Sequence, residues 1–354
     1  MFTPASLSKQ GQANPDFWDP VKNFDRTLSP YSLRRFQSDM KEVRLRPLPG
    51  IFVCPDESVA SIAHALLIGP EDTPYAGGFF HFLVNAPDNY PHEPPRVKLL
   101  TTDGNSVRFN PNLYANGKVC LSILNTWSGP AWTAVQTVGS VLLSIQSLMN
   151  SKPLHNEPGF ENEERHPGDA ERYNEIIRHE TLRVAVCGMV ETALKEIEEE
   201  QKESQDGQRE MTETKTEPGQ NSAPAANSAS AGAAPAAVGA SSSSATAAAA
   251  ATGAPAPSPT PRLRLPGTLR QLMVDYFKPS LSLYEEQARK GRDSRVEGRR
   301  MEDPFEDPRG KFEYAKILQR LQALRERLGV PEGEEEDEDD EDEEDEDLEG
   351  EESK

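Results

Sequence analysis

RFNPNLYANGKVCLSIL, Arg108 to Leu124, contains one of the three cysteines in a chain of 354 residues. Its Asn116-Gly117 pair is a strong signal for a tight reversal, because both central positions of a type I′ turn need positive φ. A two-residue turn there sets Asn112 beside Leu121, one step from Cys120. An amide and a thiol then lie on neighbouring pieces of backbone. Spacing alone leaves two readings of Cys120 open: a small buried hydrophobe that follows a turn, or a thiol that the turn presents.

Upstream of this stretch the chain reads as short strands. CPDESVASIAHALLIGP (Cys54–Pro70) predicts one strand closed by Gly69-Pro70, and GGFFHFLVNAP predicts another, entered after the turn signals of EDTPYAGG and closed at Pro87. RVKLLTT is a third, reached through the proline-rich YPHEPP. Connections of hairpin length favour an antiparallel sheet. Before the strands, Leu33, Phe36, Met40 and Val43 recur at helical spacing between Tyr31 and Arg46, and Pro47 ends the run. After the cysteine, SGPAWTAVQTVGSVLLSIQSLM predicts a helix with Thr133 and Gln136 as a capping box and Val135, Val138, Leu142, Ile145 and Met149 on one face. A further helix is expected from Ala170 to about Glu200, with Tyr173, Ile177, Val184, Cys187, Val190 and Leu194 as its apolar side. Helix, strands, then helices describe an α+β domain over residues 29–200.

Composition divides the remainder. Residues 1–28 are polar, with Pro4, Pro15 and Pro20, and read as flexible. Residues 201–262 are dominated by Ala, Ser, Pro, Gly and Thr and read as a linker. Two helices are expected within 263–330, around LPGTLRQLMVDYFKPSLSLYEEQARK and KFEYAKILQRLQALRERLGV, flanking a charged connection. In the second, Phe312, Ile317, Leu318, Leu321, Leu324 and Leu328 form an apolar stripe, so the pair is expected to dock on the first domain. Residues 331–354 form an acidic tail. The formal net charge is −21, but 18 of the 59 acidic residues lie between Glu332 and Glu352. That leaves 41 acids facing 37 of the 38 lysines and arginines, so the body is near neutral. The tail has two readings: solubilising disorder, or attraction of a basic partner, including the chain's own Arg289–Arg300 patch.

These totals exclude several classes. Three scattered cysteines (Cys54, Cys120, Cys187) make neither a disulfide framework nor a zinc site, and none of the six histidines has a partner at metal-ligand spacing. The acidic balance argues against nucleic acid. No run resembles a signal peptide or is apolar enough to span a membrane. A reducing setting, cytoplasm or nucleus, is expected, where a free thiol stays available.

The ordered motifs GPEDTPYAGGFFHF, YPHEPPRVKLLT, NPNLYANGKVCLSIL and WSGPAWTAVQTVGSVLLSIQSLM together resemble the ubiquitin-conjugating enzyme family across residues 30–160. The extension, with RVAVC, MEDPFEDPRGKFEY and a final leucine-rich helix, looks most like the Z-type branch of that family. The resemblance implies the UBC fold, a four-stranded antiparallel sheet flanked by helices, here with a C-terminal helical extension. It also implies a function. An activating enzyme passes ubiquitin, or a ubiquitin-like modifier, to Cys120 as a thioester, and a substrate lysine or a ligase cysteine then attacks. Sulfur suits both steps, being nucleophilic as thiolate and a good leaving group. By the family pattern Asn112 stabilises the developing oxyanion. No metal or small cofactor is implied on this chain, since ATP is used by the activating enzyme. The implied partners are ubiquitin or a ubiquitin-like modifier, an activating enzyme (a non-standard one, by the Z-type likeness), a ligase and protein substrates. That activating enzyme is expected to be recognised through the Tyr31–Arg46 helix and the extension.

Some positions depart from the pattern. The usual His-Pro-Asn triplet has Asn110 in place of histidine; asparagine offers both a donor and an acceptor, which implies a modified turn with the chemistry kept. Phe109 stands where many members carry tyrosine near the incoming lysine, and His92 where many carry a ligase-docking phenylalanine. The family also places an acidic or small polar residue before a proline, opposite the cysteine. LHNEPG offers Glu157 for that lysine-orienting role, with Asn156 as the alternative. Trp127 and Trp132 read either as packing or as shapers of the cysteine cleft. Two other function classes remain: a scaffold that binds ubiquitin or a ligase without catalysis, and a Cys-His protease, for which no histidine is placed near Cys120.

Overall fold

Ser29 starts the first helix. Its hydroxyl accepts from the Ser32 N–H at 3.2 Å, and Pro30 occupies the first turn, where no N–H is missed. Helix α1 (Pro30–Leu45) buries Phe36, Met40 and Val43, the expected face. The structure, a computed structural model, describes residues 15–23, 28–161, 163–213 and 263–331. The expected linker beyond 213, the acidic tail beyond 331 and residues 1–14 lie outside these.

Four antiparallel strands follow in the order β1 (Ile51–Pro55), β2 (Ile62–Ile68), β3 (Phe79–Asn85) and β4 (Arg96–Leu99). Cys54–Pro70 is therefore not one strand. It ends β1, turns, and becomes β2, because Asp56 Oδ1 accepts from the N–H groups of Ser58 and Val59, each at 2.8 Å, and closes an Asx turn. β2 and β3 are buried on both faces, which is why IAHALLI and FFHFLVN lack a clean alternation. One face, with Ala65, Leu67, Phe80 and Phe82, packs with α1 and with α2 (Val138–Leu148). Helix α2 begins one turn later than expected. Thr137 and Ser140 form its capping box, while Thr133 and Gln136 only brace the preceding turn through a 2.8 Å bond from the Thr133 N–H, and Val135 is 86% exposed.

The other face, with Leu66 and Phe79, is covered by the C-terminal half of the chain. Helix α3 (Asp169–Glu180) runs through a π-helical stretch (Thr181–Gly188) into α4 (Met189–Glu213), past the expected end near 200. Helices α5 (Gly267–Arg292) and α6 (Tyr314–Leu328) dock here, and Ile317, Leu321 and Leu324 of the predicted stripe are buried. The glycine pair of YAGGFF makes room for them: a Cβ on Gly77 would lie 2.7 Å from the Tyr284 hydroxyl, which donates to the Gly77 carbonyl at 2.8 Å. Part of the N-terminal segment is also ordered against the sheet. Trp18 is buried, and Asp19 pairs with Lys98 at 2.7 Å, so residues 15–23 do not behave as the flexible leader expected. Among the described residues no helix is long and apolar enough to cross a membrane, and no group of His, Cys, Asp and Glu is placed to hold a metal ion.

Beneath the covering helices two histidines pair across β2 and β3. His64 Nε2 lies 3.0 Å from Asp56 Oδ2, and its Nδ1 lies 2.9 Å from His81 Nε2. With both rings neutral, His64 donates to Asp56 and His81 donates to His64. Burial pushes His81 down to about 3 and also lowers His64, against the pull of Asp56. The unfolded chain takes up the His81 proton near 6.5, and the folded one only near 3. Stability is therefore full above the unfolded value and falls as pH drops below it, by about 1.4 kcal/mol per pH unit for each imidazole kept neutral. Urea unfolding is expected to show this loss between pH 7.5 and 5.5, and His81→Gln is expected to flatten the slope.

Candidate active site

The turn around Asn116-Gly117 is not the two-residue type. Ala115, Asn116 and Gly117 separate Tyr114 from Lys118; the Tyr114 N–H donates to the Lys118 carbonyl at 3.0 Å, and the Gly117 N–H returns to the Tyr114 carbonyl at 2.9 Å. Only Gly117 has positive φ, at +86°, and a Cβ there would lie 2.3 Å from the Leu99 carbonyl. This is a three-residue hairpin loop whose glycine carries the bulge. The extra residue shifts the register by one, so Asn112 faces Cys120 itself and not Leu121. The Cys120 N–H donates to the Asn112 carbonyl, and Asn112 Nδ2 donates to the Cys120 carbonyl, both at 2.9 Å.

The loop before Asn112 is held by a buried amide. Asn110 Nδ2 donates to the Tyr75 hydroxyl at 2.9 Å and to the Leu148 carbonyl at 2.8 Å, while its Oδ1 accepts from the Asn112 N–H at 2.9 Å. Donor and acceptor are both used, as the modified turn requires. The Tyr75 hydroxyl in turn donates a hydrogen bond to the Phe109 carbonyl at 2.8 Å. Phe109 is fully buried edge-on against Phe80, so it belongs to the core and not to a wall facing the incoming lysine. Beyond the cysteine, Thr126 Oγ1 donates to the Val119 carbonyl and accepts from the Leu121 N–H at 2.9 Å, pinning the backbone on either side of Cys120.

The Cys120 thiol is acted on by the Tyr114 hydroxyl and by three charged groups, Lys118, Arg108 and Glu157. Cys120 is 1% exposed. Burial pushes its thiol up from the ordinary value and Glu157 adds to that, while the Tyr114 hydrogen bond, Lys118 and Arg108 pull it down. Burial pushes Tyr114 in turn up to about 12. Cys187 is buried within the second core, its thiol pushed up to about 12, and Cys54 sits half-buried on β1 near the Thr268 hydroxyl at 3.6 Å.

Glu157 lies beside the site, its Oε2 3.3 Å from Arg108 Nη2. Asn156 points elsewhere: it donates to the Leu148 carbonyl at 2.9 Å and accepts from Asn150 at 3.0 Å, which assigns it to the amide cluster behind the loop. Trp132 is buried with its Nε1 on the Pro91 carbonyl at 2.7 Å, whereas Trp127 is exposed. His92 is also exposed, stacked on Tyr31 of α1 with ring centroids 6.4 Å apart. Sequence reasoning missed Arg108. Besides Glu157 it holds the carbonyls of Asn110 at 3.3 Å and Pro111 at 2.9 Å, so it clamps the turn that leads to Asn112. Its signal was a lone cation directly before FNPN, adjacent to the motif but outside it.

A family model described as ubiquitin-conjugating enzyme matches residues 35–180. A Danio rerio protein named ubiquitin-conjugating enzyme E2 Z is 39% identical over 328 residues, covering 92% of this chain and 78% of its own length. The Homo sapiens protein of the same name is 56% identical over 191 residues, covering 53% of this chain, and the match spans about half, 54%, of that relative's length. A Caenorhabditis elegans protein named probable ubiquitin-conjugating enzyme protein 17 is 46% identical over 143 residues, 38% of this chain and 20% of its own.

Proposed function

Because this chain belongs to the ubiquitin-conjugating enzyme family, we propose that it accepts ubiquitin, or a ubiquitin-like modifier, on Cys120 and transfers it to lysine. The observation that carries this reading is the pairing of Cys120 with Asn112 across the hairpin, with Tyr114, Lys118, Arg108 and Glu157 around the sulfur. In the first step the Cys120 thiolate attacks the modifier's thioester carbonyl on the activating enzyme. The new S–C bond forms as the activating enzyme's thiolate leaves, and the Cys120 proton goes to solvent. In the second step a neutral amine attacks the same carbon, Cys120 leaves as thiolate, and the amine loses its proton. Each step passes through a tetrahedral oxyanion that a preplaced N–H stabilises.

One Asn112 amide proton is already given to the Cys120 carbonyl. A primary amide has two, so the second is the oxyanion donor. Glu157 is the group that orients the incoming amine, as an acceptor whose freedom is limited by Arg108. The raised thiol favours the protonated form near neutral pH, so loading accelerates as pH rises toward the thiol's own range. The chemistry calls for no metal or small cofactor on this chain; the activating enzyme spends the ATP. A ligase and protein substrates complete the set of partners, and a reactive thiol fits the reducing cytoplasm and nucleus.

A loading assay tests the proposal. The protein is incubated with ubiquitin, ATP and each available activating enzyme, then resolved on a non-reducing gel. A thiol-sensitive adduct is the expected result. No adduct with any ubiquitin-family modifier would replace the proposal with a non-catalytic scaffold.

A further inference from the structure

Arg108 is where the C-terminal extension meets the thiol. Its guanidinium carbon lies 5.0 Å from the Tyr114 ring centroid and 5.2 Å from that of Phe305. One of these rings carries the hydroxyl that acts on the Cys120 thiol, and the other arrives from the connection between α5 and α6. Phe305 is itself fixed edge-on by Phe160 at 5.4 Å and Tyr173 at 5.3 Å. Two further contacts converge on the same residue. Asp307 Oδ2 lies 3.5 Å from Arg108 Nη1, opposite the nitrogen that faces Glu157, and Arg309 Nη2 donates to the Arg108 carbonyl at 2.7 Å. Arg309 is held by Asp303 at 2.8 Å, an ion pair with side chains 3% and 0% exposed.

We propose that Asp303–Arg309 is a strap that positions the Cys120 site through Arg108, with Asp307 dividing the guanidinium's charge between the thiol and Glu157. The strap touches neither sulfur nor substrate, so its members are positioning residues. A segment that only covered surface would need the ring of Phe305 but neither the bond to the Arg108 backbone nor a carboxylate on its head group. A buried ion pair also costs desolvation, which geometry of this kind offsets only when further hydrogen bonds are made. The groups facing the sulfur are Tyr114, Lys118, Arg108 and Glu157. Asp307 reaches it through the second of the two carboxylates on Arg108. Removing the Asp307 charge leaves Arg108 less neutralised, which favours the thiolate, and binds Glu157 more tightly, which hinders an incoming amine. The two steps of the reaction then change in opposite directions, which loss of stability would not produce.

The test uses the full chain carrying Asp307→Asn, Arg108→Gln, or both, with Asp307→Glu as the conservative variant. Alkylation of Cys120 by iodoacetamide is followed across pH by mass of the peptide that contains it. Asp307→Asn is expected to move the midpoint down and to raise the rate at pH 7.5 about threefold, the size expected for a shift of roughly half a pKa unit. The change should vanish in the Arg108→Gln background and be reversed by Asp307→Glu. An unmoved midpoint, or the same movement without Arg108, overturns the strap. A second arm, discharge of the loaded protein to free lysine, rests on Cys120 as the acyl carrier; Asp307→Asn should slow it, and equal or faster discharge overturns the role given to Glu157. Alkylation needs no modifier, so a failure of the acyl-carrier reading would appear in loading alone.

Discussion

With serine in place of Cys120, the thiol-sensitive adduct is expected to vanish and a thiol-resistant ester to take its place, while discharge to lysine falls to background. Oxygen can accept the acyl group, but an alkoxide is a far poorer leaving group than a thiolate, so the second step stalls. Alanine at the same position is expected to give no adduct. The experiment is clean structurally, because Cys120 is fixed mainly by its backbone: its N–H and carbonyl both bond Asn112, and Thr126 pins its neighbours. Serine preserves all of these. Thermal melts of the serine and parent proteins should therefore coincide within a few degrees. An adduct that stays thiol-sensitive in the serine variant would move the acyl site to another cysteine, and the half-buried Cys54 would be the first to examine.

Asn112→Ala is expected to slow discharge of the preloaded thioester by about 10²–10³, or roughly 3–4 kcal/mol of barrier, the usual effect of losing one preplaced oxyanion donor. It also strips the Cys120 carbonyl of its 2.9 Å partner. A buried acceptor left unpaired costs about 1–3 kcal/mol of stability. The two effects separate by measurement, since the second appears in urea unfolding and the first only in single-turnover discharge. A variant that unfolds earlier yet discharges at the parental rate would show that Asn112 serves the hairpin alone.

How much of this was legible in the sequence varies with the range of the interaction involved. The face of α1 and the apolar stripe of α6 follow from local periodicity, and the strands β3 and β4 from the turn and proline signals that bound them, so these were readable. The two-sided burial of IAHALLI and FFHFLVN was not, because what covers the second face lies far along the chain, in α4, α5 and α6. The break between β1 and β2 hid in CPDESVAS, where one aspartate caps the turn and no glycine announces it. At the candidate site, Cys120 and Asn112 stood out through their motif, and the family resemblance named them. Their register did not, because Asn-Gly suits both a two-residue and a three-residue loop, and the choice rests on Gly117 approaching the Leu99 carbonyl of a different strand. Arg108 and Asp307 meet across 199 residues of sequence. Each is an ordinary surface charge when read locally.

The hairpin makes register, as much as residue identity, a determinant of how this site is built. Side chains along extended backbone point to alternate sides, so a slip of one residue reverses every one of them. Were the same residues to close a two-residue loop on Asn116-Gly117, with Ala115 opposite Lys118, every chemistry-bearing residue would still be present. Asn112 would then pair with Leu121, and the sulfur would turn from Tyr114 toward the interior. Changes between Tyr114 and Lys118 that favour the two-residue loop should therefore be as damaging to transfer as loss of the thiol, whereas substitutions at Ala115 should pass almost unnoticed.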